Sequence, residues 1–144
     1  MKNKKVYFHR KFVGTLNKKG NKNSAKRIFV NALHMASRRL KMRVDLLLSR
    51  VFLKLNTYIE TKSIRIRKKS HLVPFATKFK RRVYLAIKWI MLSVAQDKRK
   101  FKLSVRLAFE MMNLIKKPSS KSLTLKRTNI SNAYTNRSNL HFRW

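Results

Sequence analysis

Apolar residues recur along this chain with two periods, three to four over most of its length and two over a short middle stretch. After Gly20 and the polar run Asn21-Lys22-Asn23-Ser24, the positions Ile28, Ala32, Met35 and Ala36 return at helical spacing, with Ser24 as the expected N-cap. Val44, Leu47, Leu48, Val51 and Leu55 then mark a stronger face that belongs in a core. From Tyr58 the period changes. Ile64 and Ile66 alternate with Arg65 and Arg67, and Val73, Phe75 and Phe79 fall on alternate positions beyond, which predicts a two-stranded ribbon over about 58–79 with a basic tip at Arg67-Lys68-Lys69-Ser70. That tip has no Gly, Asn or Asp, so a tight two-residue turn is not signalled. Pro74 removes one ladder donor, which an edge strand tolerates.

Helical spacing resumes at Val83, Ala86, Ile87, Ile90 and Val94, with Trp89 beside the stripe, and Asp97-Lys98-Arg99-Lys100 breaks it. The next helix carries two stripes, Phe101-Val105-Ala108-Met112-Ile115 and Leu103-Leu107-Met111-Leu114, so it is expected to be buried from more than one side. Trp89, Phe101, Phe109, Met111 and Met112 read as core. Lys116 and Lys117 suit its negative end and Pro118 stops it. Residues 1–11 show no sustained period and read as a basic N-terminal arm, leaving one domain over 12–144. Within it, 118–125 reads as a linker opening a basic C-terminal segment, 118–144, with weak periodicity through Ile130, Ala133 and Arg137. The class is mainly α with a ribbon.

Composition sharpens this picture. The 144 residues carry 38 Lys and Arg against 4 Asp and Glu, a formal charge of +34, yet 44% are hydrophobic and 9 are Phe. A disordered basic tail would be poor in apolar residues. A folded body of this charge repels itself unless a polyanion relieves it, which argues for nucleic acid and against a free-standing metabolic enzyme. The acids stand alone at Asp45, Glu60, Asp97 and Glu110, so the first 44 residues and the last 34 are purely basic. Lys occurs 23 times and Asn 11, while Gly and Pro occur twice each, the bias of an AT-rich coding genome such as an organellar one.

Other chemistry is poorly supported. There is no cysteine, hence no disulfide and no thiolate nucleophile or ligand. The carboxylates are too far apart in sequence to form a local acid–base pair. His9, His34, His71 and His141 lack metal-ligand spacing and read as surface or RNA-facing residues. The segment Gly14 to Gly20 has five intervening residues and Asn21 where a phosphate loop needs lysine, so no nucleotide cofactor is expected. The uncharged stretches fall short of the about 20 apolar residues that a membrane span needs. The basic start lacks the apolar core of a secretory signal and the length of a transit peptide.

What remains is basic clusters on a folded scaffold. Lys18, Lys19, Lys22, Lys26 and Arg27 surround the first predicted helix start, where backbone N–H groups also favour phosphate. Arg65, Arg67, Lys68 and Lys69 crown the ribbon, and Lys78, Lys80, Arg81 and Arg82 lie at its exit. Phe142 and Trp144 have either base stacking or core packing open to them.

The run Arg81-Arg82-Val83-Tyr84-Leu85-Ala86-Ile87-Lys88-Trp89 and the ending Asn136-Arg137-Ser138-Asn139-Leu140-His141-Phe142-Arg143-Trp144 resemble signatures of the small-subunit ribosomal protein seven family, the ending being closest to mitochondrial members. Arg106-Leu107-Ala108, Glu110, Glu60, Ser63, Val73-Pro74, Lys11-Phe12-Val13, Gly20 and Ser24-Ala25 extend the likeness from Lys11 to Trp144. The chain departs from the family in having Arg67-Lys68 where paired glycines are usual, and Asn56-Thr57 where the first strand is usually entered through proline.

The resemblance implies a bundle of about six helices with a protruding two-stranded β-ribbon after the third. It implies a non-enzymatic protein that binds the 3′ major domain of small-subunit rRNA, helps assemble the head, and meets neighbouring small-subunit proteins as a single copy, not a homo-oligomer. The clusters at Lys18 to Arg27 and Lys78 to Arg82 would hold rRNA. Arg67, Lys68 and Lys69 would approach rRNA and the exit-site tRNA near the mRNA exit, and Arg127, Arg137 and Arg143 would be C-terminal RNA contacts. A mitochondrial matrix location, from an organelle-encoded gene, follows from the ending, the composition and the expected absence of an import signal, with a bacterial cytoplasm as the alternative. A DNA-architectural protein is the competing reading. It needs an apolar wedge at the ribbon tip, and Arg67-Lys68-Lys69-Ser70 offers none.

Overall fold

The first helix, α1 (Lys2–Leu16), occupies the stretch expected to be an arm. The structure is a computed structural model that describes residues 2–117 and 119–143. Phe8, Phe12, Val13 and Leu16 are buried on one side of α1, and the rings of Phe12 and Phe29 stack at 4.4 Å. Phe8, Phe12 and Leu16 recur every fourth residue, but the stripe straddles the boundary placed at residue 11, so neither side of it showed a period. Each such buried side chain stabilises the fold by about 1.5–3 kcal/mol, which ties these residues to the body.

Helix α2 (Lys22–Leu40) starts earlier than expected. Asn21 is its N-cap, with the side-chain oxygen accepting from the Ser24 N–H at 3.2 Å. Asn21 therefore takes the role assigned to Ser24, which lies inside the first turn. The buried face is also turned by about one position. Ala25, Phe29, Ala32, Leu33 and Ala36 face the core, while Met35 is exposed, because the face is set by the partners Phe12 and α5. Helix α3 (Val44–Leu55) buries Leu47, Leu48, Val51 and Leu55 as the stripe predicted.

The ribbon follows as β1 (Ile59–Ile66) and β2 (Lys69–Ala76), antiparallel, with register from Ile59 opposite Ala76 to Ile66 opposite Lys69. Only Arg67 and Lys68 join the strands, so the turn is a tight two-residue one despite the absence of glycine. Arg67 supplies the positive φ, at 53°. The ribbon base is buried at Glu60, Val73 and Pro74, and its distal half stands out from the body with exposed Arg65, Arg67, Lys68 and Lys69.

Helix α4 (Phe79–Ala95) buries Val83, Ala86, Ile87, Trp89, Ile90 and Val94, and ends before Asp97. Helix α5 (Leu103–Lys116) contacts α2, α3, α4 and α6, which is why it carries two stripes. Trp89 and Met111 are core, as expected, but Phe101 precedes α5 and is half exposed, and Phe109 and Met112 are only partly covered. Pro118, expected to stop α5, lies outside the described residues.

The expected linker and weakly periodic tail are α6 (Lys121–Thr135) and a 3₁₀ helix, Arg137–Phe142. Helix α6 buries only Ser122 and Ala133 fully, which explains its faint pattern. It is held through polar links: Asn129 Nδ2 donates to the Ile59 carbonyl at 2.9 Å, and Lys126 Nζ to the Lys54 carbonyl at 2.7 Å. Lys54 Nζ in turn caps the end of α5 through the Leu114 and Ile115 carbonyls at 2.8 and 2.9 Å. The architecture is thus mainly helical, six α-helices and a 3₁₀ turn among the described residues, with a two-stranded ribbon after the third helix.

Candidate nucleic-acid interface

The basic clusters predicted from sequence occupy different parts of the surface. Lys18, Lys19 and Lys22 sit on the α1–α2 turn, where Lys19 and Gly20 both have positive φ, and Lys26 and Arg27 extend along the exposed side of α2. Arg65, Arg67, Lys68 and Lys69 project from the ribbon's outer end.

At the ribbon exit the cations divide. Lys78 and Lys80 are exposed and engaged in no ion pair among the described residues. Arg81 instead grips Glu60 across the ribbon base, with Nε at 2.8 Å from one carboxylate oxygen and Nη2 at 2.5 Å from the other. The Arg81 hydrogen bond holds the Glu60 carboxyl below its ordinary range, against an opposing push from burial. Arg82 lies over the Tyr58 ring at 4.5 Å, and its Nε is buried without a partner. Sequence spacing grouped these four cations together. The fold makes Arg81 a tie between ribbon and α4, with its charge largely answered by Glu60.

Two grooves assemble residues from distant parts of the chain. Between α1 and α4, a hollow of about 400 Å³ brings Lys80 and Arg81 together with Lys11, beside the rings of Tyr7 and Tyr84. Lys11 is absent from the clusters predicted from sequence because its helix was not foreseen. At the ribbon base, a hollow of about 300 Å³ joins Phe75, Tyr134, Arg137 and Arg143 over an apolar floor, and Arg143 lies 5.7 Å from the Phe75 ring centre. Tyr134 is 69% exposed there. Arg127 is exposed on α6 and lines neither groove. Exposed rings beside guanidinium groups offer stacking surfaces for unpaired bases, and neither groove has an acid in its lining.

Phe142 packs toward the ribbon, its ring 4.8 Å from that of His71. Trp144, its companion in the stacking question, lies outside the described residues. His9 is partly buried with its ring 5.1 Å from Phe29, and burial, aided by Lys26, pushes its pKa down.

Three of the four acids are spoken for internally. Glu60 holds Arg81, Asp97 takes Arg99 at 2.6 Å, and Glu110 Oε1 accepts from the Ser122 N–H and hydroxyl at 3.2 and 2.5 Å. Asp45 sits in the first turn of α3, where a negative charge suits the helix dipole. No group of histidines and carboxylates suited to a metal occurs among the described residues, and no helix is long and apolar enough to cross a membrane.

A helical body carrying an unbalanced cationic surface and a basic ribbon defines a structural protein built around its charge. Residues 2–137 match the family model of ribosomal protein S7p/S5e, and the chain belongs to that family, whose members are structural and not enzymes. It is similar to the small ribosomal subunit protein uS7 of Desulfatibacillum aliphaticivorans, with 27% identity over 93% of this chain and 85% of the relative. The proteins of the same name from Desulfotalea psychrophila and Rhodopirellula baltica each show 29% identity, over the same shares.

Proposed function

We propose that the chain is a structural constituent of the small ribosomal subunit that binds the 3′ major domain of small-subunit rRNA and helps assemble the head. The relatives' shared name supports the assignment to the subunit. The observation that carries RNA binding is the disposition of charge. Cations outnumber acids 38 to 4, and three of those acids are engaged by the protein's own donors, which leaves the surface cations for phosphate.

On this reading Lys18, Lys19, Lys22, Lys26, Arg27, Lys78 and Lys80 neutralise rRNA phosphates, and shape supplies specificity. Arg67, Lys68 and Lys69 at the ribbon tip reach rRNA and the exit-site tRNA, and Arg127, Arg137 and Arg143 contact RNA near the mRNA exit. Other small-subunit proteins are its neighbours, with one copy per particle. The Lys- and Asn-rich composition favours a mitochondrial ribosome, and the bacterial relatives keep the bacterial cytoplasm as the other location.

Sedimentation of a native lysate on a sucrose gradient tests this reading. Co-migration with the small subunit through a high-salt wash is the expected result. Recovery of the chain on DNA, free of ribosomal particles, overturns it.

A further inference from the structure

At the end of α4 away from the ribbon, a polar cleft of about 380 Å³ opens between α4, α5 and the start of α6. Three of its polar atoms stand out. Ser93 Oγ, Ser120 Oγ and Arg106 Nε are buried and form no hydrogen bond with any described residue, and the two serines are only 2% and 4% exposed. Buried polar groups are nearly always paired, so three unpaired ones converging on one cleft call for a partner from outside the chain.

The charge around them says which kind. Asp97 is closed by Arg99, and Glu110 Oε1 is occupied in capping α6 at Ser122. Arg106 is oriented by a hydrogen bond from Nη1 to the Asp97 carbonyl at 3.1 Å, and its buried Nε–H is a donor without a partner among the described residues. Lys117 and Lys121 complete the cationic side, and the α6 N-terminus adds its positive dipole end. The Arg106 Nε–H can only donate, the serine hydroxyls can donate as well as accept, and four cations against two acids in the lining favour an oxyanion over a cation.

We propose that this cleft is a phosphate-binding site, with the Ser93 and Ser120 hydroxyls and the Arg106 Nε–H as donors and Lys117 and Lys121 as the charges that draw the anion in. Both serines line the cleft, beside Arg106. The phosphate is one of the RNA backbone, and this choice of source rests on the function proposed above; a free phosphate presents the same chemistry. Helix α4 has 17 residues and spans about 25 Å, so RNA engaged at the ribbon and at the cleft is gripped at both ends of the molecule.

The test compares the full-length chain with S93A/S120A, which removes two hydroxyls and no charge, and with R106K, which keeps the charge and removes both the Nε–H and the Nη1 bond to the Asp97 carbonyl. Affinity for a transcript of the rRNA 3′ major domain should fall about tenfold in S93A/S120A and be weakened in R106K. Without RNA, S93A/S120A should melt at the same temperature as the parent or higher, since it loses only unpaired hydroxyls. Inorganic phosphate, compared with chloride at equal ionic strength, separates the sources. Stabilisation of the parent but not of S93A/S120A shows that the site also takes the free anion, whereas loss of RNA affinity alone assigns it to the backbone. Parent-like responses to RNA and phosphate in both variants overturn the proposal. So does marked destabilisation of S93A/S120A without RNA, because the hydroxyls would then serve the fold. A parent that binds no RNA yet is stabilised by phosphate through these serines would remove the RNA reading and leave the cleft standing.

Discussion

Glu60 and Glu110 are buried to the same degree, 7% and 8% exposed, and they tie elements together by different means, Glu60 joining β1 to α4 and Glu110 joining α5 to α6. Glu60 meets a full charge, the Arg81 guanidinium, whose side chain is still 45% exposed. Glu110 meets a backbone N–H and a serine hydroxyl that are both buried. A pair with one side in water is screened and contributes modestly, whereas a carboxylate enclosed with neutral donors leaves them stranded if it is removed. Asp97 and Arg99 carry the contrast further, with bidentate geometry as close as that of Glu60 and Arg81 and somewhat greater exposure, 16% and 50% for the two side chains. Equal geometry therefore means unequal stabilisation, and burial of both partners decides the order.

The largest effect is expected from Glu110→Ala. It strands the Ser122 donors at the start of α6 and should cost about 2 kcal/mol, read as a fall in denaturation midpoint with unchanged slope. A loss no larger than that of a surface substitution would break the comparison.

Glu60→Gln should cost about 1 kcal/mol at neutral pH, discounted for the exposure of Arg81. Its folded-state pKa is lowered, so its contribution is complete above the unfolded carboxyl value near 4.5 and is lost as the pH falls through the depressed folded value. The difference in stability between parent and variant should thus shrink as the pH falls below about 4.5. A constant difference down to strong acid would mean that the charge of Glu60 contributes nothing.

Arg67→Gly works in the opposite direction. Arg67 holds a φ of 53°, which glycine adopts without strain, and the variant should gain about 1 kcal/mol. Loss of stability in the same unfolding measurement would mean that the arginine side chain contributes more than its backbone conformation costs. Asp97→Asn should be smallest of all. Arg99 lowers the Asp97 pKa to about 2, yet the pair is solvated, so the variant should melt with the parent at neutral pH.

The same contrast extends to RNA. Lys80→Ala should flatten the log–log salt dependence by about 0.7–0.9, one phosphate contact, while Arg81→Ala should change it less because Glu60 already answers that charge. Equal slopes for the two variants would place Arg81 on phosphate as well.

The period of apolar residues was enough to find α3, α4, α5 and the ribbon, because α3 and α4 bury most of their stripes, α5 is covered from several sides, and apolar residues alternate at Ile64 and Ile66 and at Val73 and Phe75. It failed for α1, whose stripe crosses an assumed boundary, and for α6, whose anchors are Asn129 and Lys126 and leave no apolar trace. The tight turn was invisible for a related reason. Glycine is nearly absent from this chain, and Lys19, Lys41 and Arg67 adopt positive φ in its place.

Net charge, the isolation of the four acids and the local runs of lysine and arginine are properties of the chain as written, and they select a polyanionic partner before any folding is considered. Which cations remain available is another matter. Arg81 is answered by an acid 21 positions away, Lys54 is turned inward to cap a helix 60 positions away, and Arg106 reaches a cleft whose serines come from two other segments. Such pairings depend on distances through space, and short-range spacing along the chain carries no record of them.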